Sequence, residues 1–130
     1  MEPTFLTLDE VTAIHRDQIT RYGGSEGVRD WNLLQSAIAM PATGFGGQFV
    51  HSDLCEMAAA YLFHIVQNHP FLDGNKRVGA VAAYVFLALN NVQVAAEEDA
   101  YADLVLSVAR GETPKSAVAE FFRANTAPNR

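Results

Sequence analysis

Apolar positions along the chain recur at helical spacing in several separate runs. Leu8, Val11, Ile14, Ile19 and Tyr22 share one stripe with Gln18, behind the capping box Thr7-Leu-Asp-Glu10 and ahead of Gly23-Gly24, so an amphipathic helix is predicted between them. A second, shorter helix is predicted from near Asp30, burying Leu33, Leu34, Ala37 and Ile38, with Trp31 anchoring its start in the core and Pro41 forbidding its continuation. The period is lost over residues 41–52, where glycines and two phenylalanines predict a loop or short hairpin. A connection of that length is usually functional or mobile.

Asp53-Leu-Cys-Glu56 then reads as another capping box, and Leu54, Met57, Ala58, Tyr61, Leu62 and Ile65 mark a helix ending near Asn68. From about Asn75 to Leu89 the chain is apolar on nearly every face (Val78, Ala80, Val81, Ala82, Val85, Phe86, Leu87, Leu89), the pattern of a central rod in a bundle, closed by Asn90-Asn91. Residues 97–109 predict a further helix stopped by Gly111. Thr113-Pro114 predicts an N-cap and a proline in the first turn of a last helix that buries Val118, Phe121 and Phe122. The prediction is six helices in a single all-α domain over residues 1–130.

Composition narrows the class. A chain of 130 residues with 49% apolar and 18% charged side chains is globular, and its length suits one core. Nine Lys and Arg against fifteen Asp and Glu give a net charge of −6, which excludes the broad positive field of a dedicated nucleic-acid binder. A helix-turn-helix reading is further opposed by a central helix too apolar to enter a DNA groove. Cys55 is alone in an apolar helical setting, so it reads as core packing in a reducing compartment. The N-terminus carries no basic stretch followed by an apolar run, and the longest apolar segment, 79–89, is too short to span a bilayer. A cytoplasmic protein without membrane contact is expected.

The candidate chemistry lies between two of the predicted helices, in His69-Pro-Phe-Leu-Asp-Gly-Asn-Lys-Arg77. Gly74-Asn75 stands where a loop becomes the apolar helix, so the first amides of that helix lack intrahelical partners and point outward with the positive end of the dipole. Gly74 admits a ligand close to the backbone, and the Asn75 side chain is expected to add an amide donor to the same anion hole. Lys76 and Arg77 place two cations in a first turn, where the macrodipole disfavours them unless an anion is bound. A carboxylate at Asp73 beside an anion site makes sense if Mg²⁺ bridges the two. His69 is the loop's only imidazole, the side-chain type suited to taking a proton from an attacking hydroxyl. Together these are the parts of a phosphoryl- or nucleotidyl-transfer site.

This nonapeptide resembles the signature of the Fic/Doc superfamily, H-P-F-x-[D/E]-G-N-[G/K]-R, and matches it at every specified position. Lys76, where most Fic enzymes have Gly, is similar to the Doc branch, the death-on-curing toxins of toxin–antitoxin pairs. Arg21-Tyr-Gly-Gly24, the Asp30-to-Pro41 helix and Asn90-Asn-Val-Gln-Val94 extend the likeness. The resemblance implies the Fic-type helical fold, with a flap before the third helix that binds the target as an added strand. By matching position it implies His69 as general base, Asp73 as Mg²⁺ ligand, Gly74 and Asn75 as anion hole, and Lys76 and Arg77 as phosphate ligands. Phe45, Gly46, Gly47 and Gln48 would form the target flap. The resemblance also implies ATP as co-substrate, a Ser or Thr hydroxyl on a translation factor such as elongation factor Tu as acceptor, and a separate antitoxin as restraint.

Two departures matter. Fic proteins usually carry a second Arg four residues after the first, and Doc has a polar Asn there; Val81 cannot bind phosphate, so Lys76 and Arg77 would bear that role. The inhibitory [S/T]-x-x-x-E-[G/N] string is approached by Ser52 to Met57 but fails at its last position. Three functions are therefore carried forward: Doc-type phosphorylation of a protein hydroxyl, Fic-type AMP transfer, and a non-catalytic helical module that binds phosphate.

Overall fold

The computed structural model describes residues 2–128. It is all-α in character, with α1 (Leu8–Tyr22), α2 (Trp31–Ala39), α3 (Leu54–Asn68), α4 (Asn75–Leu89), α5 (Glu98–Ala109) and α6 (Lys115–Ala124). Four short strands, β1 (Gly44–Phe45), β2 (Gln48–Phe49), β3 (Val92–Val94) and β4 (Thr126–Pro128), form two separate antiparallel pairs, β1 with β2 and β3 with β4.

The helix ends follow from local chemistry. Thr7 caps α1 with both halves of the capping box in place, and Gly23 closes it. Asp30 caps α2 by accepting from the Leu33 amide at 3.0 Å. Met40–Ala42 form a single 3-10 turn around Pro41, where the helix can no longer continue. Asp53 caps α3 through the Glu56 amide at 2.8 Å, but the reciprocal half of that predicted box is absent: Glu56 accepts instead from Ser52 and Arg123. At α6 the cap is Pro114 itself, without a side-chain bond, because the Thr113 hydroxyl is engaged with Ser107.

The centre of the molecule is α3. It packs against α2, α4, α5 and α6, and its buried residues include Met57, Tyr61, Leu62 and Ile65. The sequence pattern pointed to α4 as the central rod; α4 lies beside the centre, with Tyr84 and Leu89 exposed and Gly79 seated against Val66 and Leu62 of α3. A Cβ at Gly79 would meet Val66 at 2.7 Å, so glycine sets the α3–α4 separation. Trp31 is 54% exposed and does not anchor α2 in the core; Leu34 and Ala37 do.

The expected loop or hairpin over 41–52 is a hairpin, turning through Gly46-Gly47, with Phe45 87% exposed. Phe49 packs edge-on against Phe5, which in turn stacks on Phe86. Near the chain end, β4 pairs with β3, so Asn90-Asn91 closes α4 into a strand rather than a plain loop. No helix of the described residues is long and apolar enough to cross a membrane.

Candidate functional site

The loop between α3 and α4 begins with a residue in an uncommon conformation. His69, the C-cap of α3, has φ 52° and ψ 51°, a left-handed geometry that disfavours residues with a Cβ. It is held there by Arg29, whose Nε donates to the His69 carbonyl at 2.6 Å and whose terminal nitrogen donates to Asn68 O at 2.9 Å. The segment before α2 continues the clamp. The amides of Arg29 and Asp30 donate to Pro70 O, Leu72 N donates to Gly27 O, and Val28 pairs with Phe71.

The floor of the loop is Phe71, fully buried, with the His15 ring stacked on it at 4.0 Å and 5°. His15 Nε2 lies 2.9 Å from the Asp73 carbonyl, within hydrogen-bonding distance. Asn75 completes the floor: its Oδ1 accepts from Phe71 N at 2.9 Å and its Nδ2 donates to Phe71 O at 3.0 Å. The Asn75 carboxamide is thus turned to Phe71, with one of its two Nδ2 hydrogens engaged there.

The start of α4 has the expected form. Gly74 is the N-cap at φ 80°, a conformation glycine adopts without strain, and the first intrahelical bond runs from Val78 N to Gly74 O at 2.9 Å. The amides of Asn75, Lys76 and Arg77 precede that bond and form the positive end of the helix. His69, Leu72, Asp73, Gly74, Asn75, Lys76 and Arg77 enclose a cavity of about 330 Å³ over these amides.

Arg77 reaches back to the end of α1. Its guanidinium donates to Gln18 O at 3.3 Å and Gly23 O at 3.0 Å and lies 5.9 Å from the Tyr22 ring centre. Two of five N–H donors are thereby engaged and three remain for a ligand. Lys76 is exposed and makes no hydrogen bond or ion pair among the described residues.

The Asp73 carboxylate is exposed. Oδ2 accepts from Ser25 N at 3.2 Å and Oδ1 from Gly74 N at 2.8 Å. These amides, first Ser25 and then Gly74, with Arg77 and Lys76 adding, hold its carboxyl below the usual range and keep it ionised. Gly24 makes the approach possible, since a Cβ there would stand 2.6 Å from Asp73 Oδ2. Each carboxylate oxygen keeps lone pairs toward solvent, so Asp73 fits a hard divalent cation.

His69 Nδ1 lies 3.1 Å from Val66 O. With the proton on Nδ1 in that bond, Nε2 carries the free lone pair of a base. The predicted base, carboxylate, helix amides and two cations are thus brought together at one cavity. The flap residues Phe45, Gly46, Gly47 and Gln48 contribute nothing to its lining and sit instead on the N-terminal segment through Phe49.

Sequence reasoning missed Arg29, Ser25 and the role of His15. Arg29 and Ser25 lie in a polar loop without a pattern, and their partners are far along the chain: the His69 and Asn68 carbonyls for the Arg29 side chain, and the Asp73 carboxylate for the Ser25 amide. His15 did carry a signal: it falls on the buried face of α1 with Val11, Gln18 and Ile19, where an imidazole must find a partner.

A second polar cluster lies apart from this cavity. Lys115 Nζ stands between His51 Nε2 at 3.1 Å and His64 Nε2 at 3.3 Å. Burial first, and Lys115 next, push the His64 imidazole down to about 4, and His51 moves the same way. His51 is buried in this cluster.

Comparison with known proteins agrees with the geometry. The Fic/DOC family model matches residues 5–87. A protein named Toxin Doc from Mycolicibacterium smegmatis is 42% identical over 78 residues, 60% of this chain and 60% of that protein. One named Protein kinase doc from Escherichia phage P1 is 35% identical over 115 residues, 88% of this chain and 90% of that protein.

Proposed function

The chain belongs to the Fic/DOC family, and from that premise we propose that it is a toxin-type protein kinase, transferring the γ-phosphoryl group of ATP to a Ser or Thr hydroxyl of a protein. The observation that carries this reading is Lys76. It stands at the mouth of the anion hole with no partner among the described residues, where a glycine would leave room for the α- and β-phosphates of a nucleotidyl donor. Lysine fills that space and favours a terminal phosphate on the helix amides.

In this reading the residues divide the work. The amides of Asn75, Lys76 and Arg77 receive the phosphoryl oxygens along the α4 dipole, and Lys76 and the remaining donors of Arg77 offset their charge. His69, oriented through Val66 O, accepts the proton of the attacking hydroxyl at Nε2. Asp73 would hold Mg²⁺, which when bound neutralises charge on the phosphate oxygens. The hairpin offers the outer edge of β1 or β2 to an extended target segment, with exposed Phe45 beside it.

The remaining assignments rest on family likeness. A translation factor such as elongation factor Tu is the target class, a separately encoded antitoxin supplies the restraint, and the setting is the cytoplasm. The relatives' names, Toxin Doc and Protein kinase doc, support the toxin and kinase parts.

The test is incubation of the protein and its His69→Ala variant with a bacterial lysate, Mg²⁺ and either γ- or α-labelled ATP. Labelling of a protein from the γ position alone, lost in the variant, is the expected result. Labelling from the α position would make the protein a nucleotidyl transferase and overturn the reading of Lys76.

A further inference from the structure

His15 is 3% exposed on the inner face of α1, and its Nε2 has one hydrogen-bonding neighbour among the described residues, the Asp73 carbonyl at 2.9 Å. A carbonyl oxygen only accepts, so Nε2 carries the proton and His15 is the donor. The ring cannot turn away from that oxygen. It lies flat on Phe71, at 4.0 Å and 5°, and Phe71 is fixed in turn by Oδ1 and Nδ2 of Asn75.

What this bond fixes lies on the other side of the peptide. In a trans peptide the carbonyl of one residue and the amide of the next point in opposite directions, and the described residues contain no cis bond. With Asp73 O directed at His15 beneath the loop, Gly74 N–H is directed away from it, where it donates to Asp73 Oδ1 at 2.8 Å beside the 330 Å³ cavity. Gly74 does not enforce this orientation. Its φ of 80° and ψ of 15° are those of the third residue of a type II turn. A half-turn of the Asp73–Gly74 peptide would bring φ to about −90° with ψ near 0°, the third residue of a type I turn, and glycine accepts both.

The two orientations present opposite charge to an anion. As found, the outward N–H braces the Asp73 carboxylate and adds to the positive end of α4. Turned over, the peptide would put the carbonyl oxygen toward the cavity, the carboxylate would lose one of its two amide donors, and the buried N–H of His15 would face another N–H. We propose that His15 is the positioning residue that latches the Asp73–Gly74 peptide with its N–H outward, so that α1 sets the polarity of the site from beneath. That an anion meets this face rests on the function proposed above; that His15 fixes the peptide does not.

The test compares crystal structures and calorimetric titrations with inorganic phosphate for the native protein, His15→Phe and His15→Gln. Phenylalanine keeps the ring stacked on Phe71 and has no donor, whereas glutamine gives up the stack and keeps an N–H. In His15→Phe, Gly74 is expected at φ of about −90°, with phosphate bound about tenfold more weakly or worse. A second variant without a donor, His15→Leu, carries the same expectation. In His15→Gln, Gly74 keeps its positive φ and phosphate affinity stays within about threefold of native. Nitrogen-15 spectra of the native protein should place the proton of the neutral imidazole on Nε2. A positive φ at Gly74 in the variants without a donor, equal losses of phosphate affinity in His15→Phe and His15→Gln, or a proton on Nδ1 overturns the latch. A native protein that binds no phosphate, while the peptide still turns over in His15→Phe, removes the anion site and leaves the latch standing.

Discussion

Two lysines of this protein sit at the first turns of helices and are treated in opposite ways. Lys115, at the start of α6, is partly buried and donates toward two neutral imidazoles, His51 and His64. Lys76, in the first turn of α4, is exposed and has no acceptor among the described residues. The helix dipole disfavours both cations. At Lys115 the protein itself supplies the compensation, and the result is a tie between the end of the flap segment, α3 and α6. At Lys76 the neighbouring Asp73 carboxylate is turned to backbone amides, and among the described residues no acceptor meets the ammonium. A cation satisfied internally is part of the fold; one left without a partner next to free helix amides is where the proposed anion would sit.

The comparison can be broken most sharply at the reaction itself. His69→Ala should lower phosphoryl transfer on the order of 100- to 10,000-fold, the usual range for a general base, with thermal unfolding nearly unchanged because the side chain is exposed. Single-turnover transfer of γ-label measures the first and a melting curve the second; activity within tenfold of native would remove His69 from that role.

Next come the two lysines as a pair. Lys76→Met should reduce transfer by about 10- to 100-fold, through the loss of a charge-assisted phosphate contact, at constant Tm. Lys115→Met should do the reverse, leaving transfer near native and costing about 1–3 kcal/mol in stability, because His51 and His64 lose their donor. If urea melts and transfer assays show both variants changing the same property, the division drawn here is wrong.

Arg29 lies between the two classes, since it is a fixed cation whose partners are carbonyls at the start of the α3–α4 loop. Removing it with Arg29→Ala releases His69 from its left-handed geometry, and about a tenfold loss in kcat with little change in KM is expected, together with a lower Tm. A fall in Tm with kcat unaltered would make Arg29 a purely structural clamp.

The smallest effect is in pH. The His64 imidazole, normally near 6.5, is pushed to about 4 by burial, then by Lys115 and His51, so the unfolded chain binds the proton more readily than the native one. Stability is therefore constant above about 6.5, declines as pH falls from there to about 4, and levels off below. After allowance for its partial exposure the change is on the order of 2 kcal/mol, and His51, facing Lys115 and Glu56, adds in the same direction. Urea unfolding across that window should show the slope in the native protein and a shallower one in His64→Leu.

Much of this architecture was legible beforehand. The caps at Thr7, Asp30 and Asp53, the glycine after Tyr22 and the apolar spacing of six helices are consequences of interactions spanning at most four residues, which is the range a linear pattern encodes. The misreadings share a different cause. Trp31 lies on the outer side of α2, the Thr113 hydroxyl meets Ser107, and the Asn75 carboxamide is turned to Phe71; each orientation is set by the three-dimensional packing, which local spacing does not contain.

The sequence by itself determined the chemical groups of the site and their order, since the base, the carboxylate, the helix amides and both cations lie within nine consecutive residues whose chemistry needs no distant partner to be recognised. Only the tertiary structure decided how those groups are held and what adjoins them. The strain at His69 is carried by Arg29, the ionised state of Asp73 by Ser25 N, the direction of Arg77 by Gln18 O and Gly23 O, and a groove beside it by α1 and α5. Those partners are largely backbone groups, present at every residue and distinguished by no side chain, so only folding could select them.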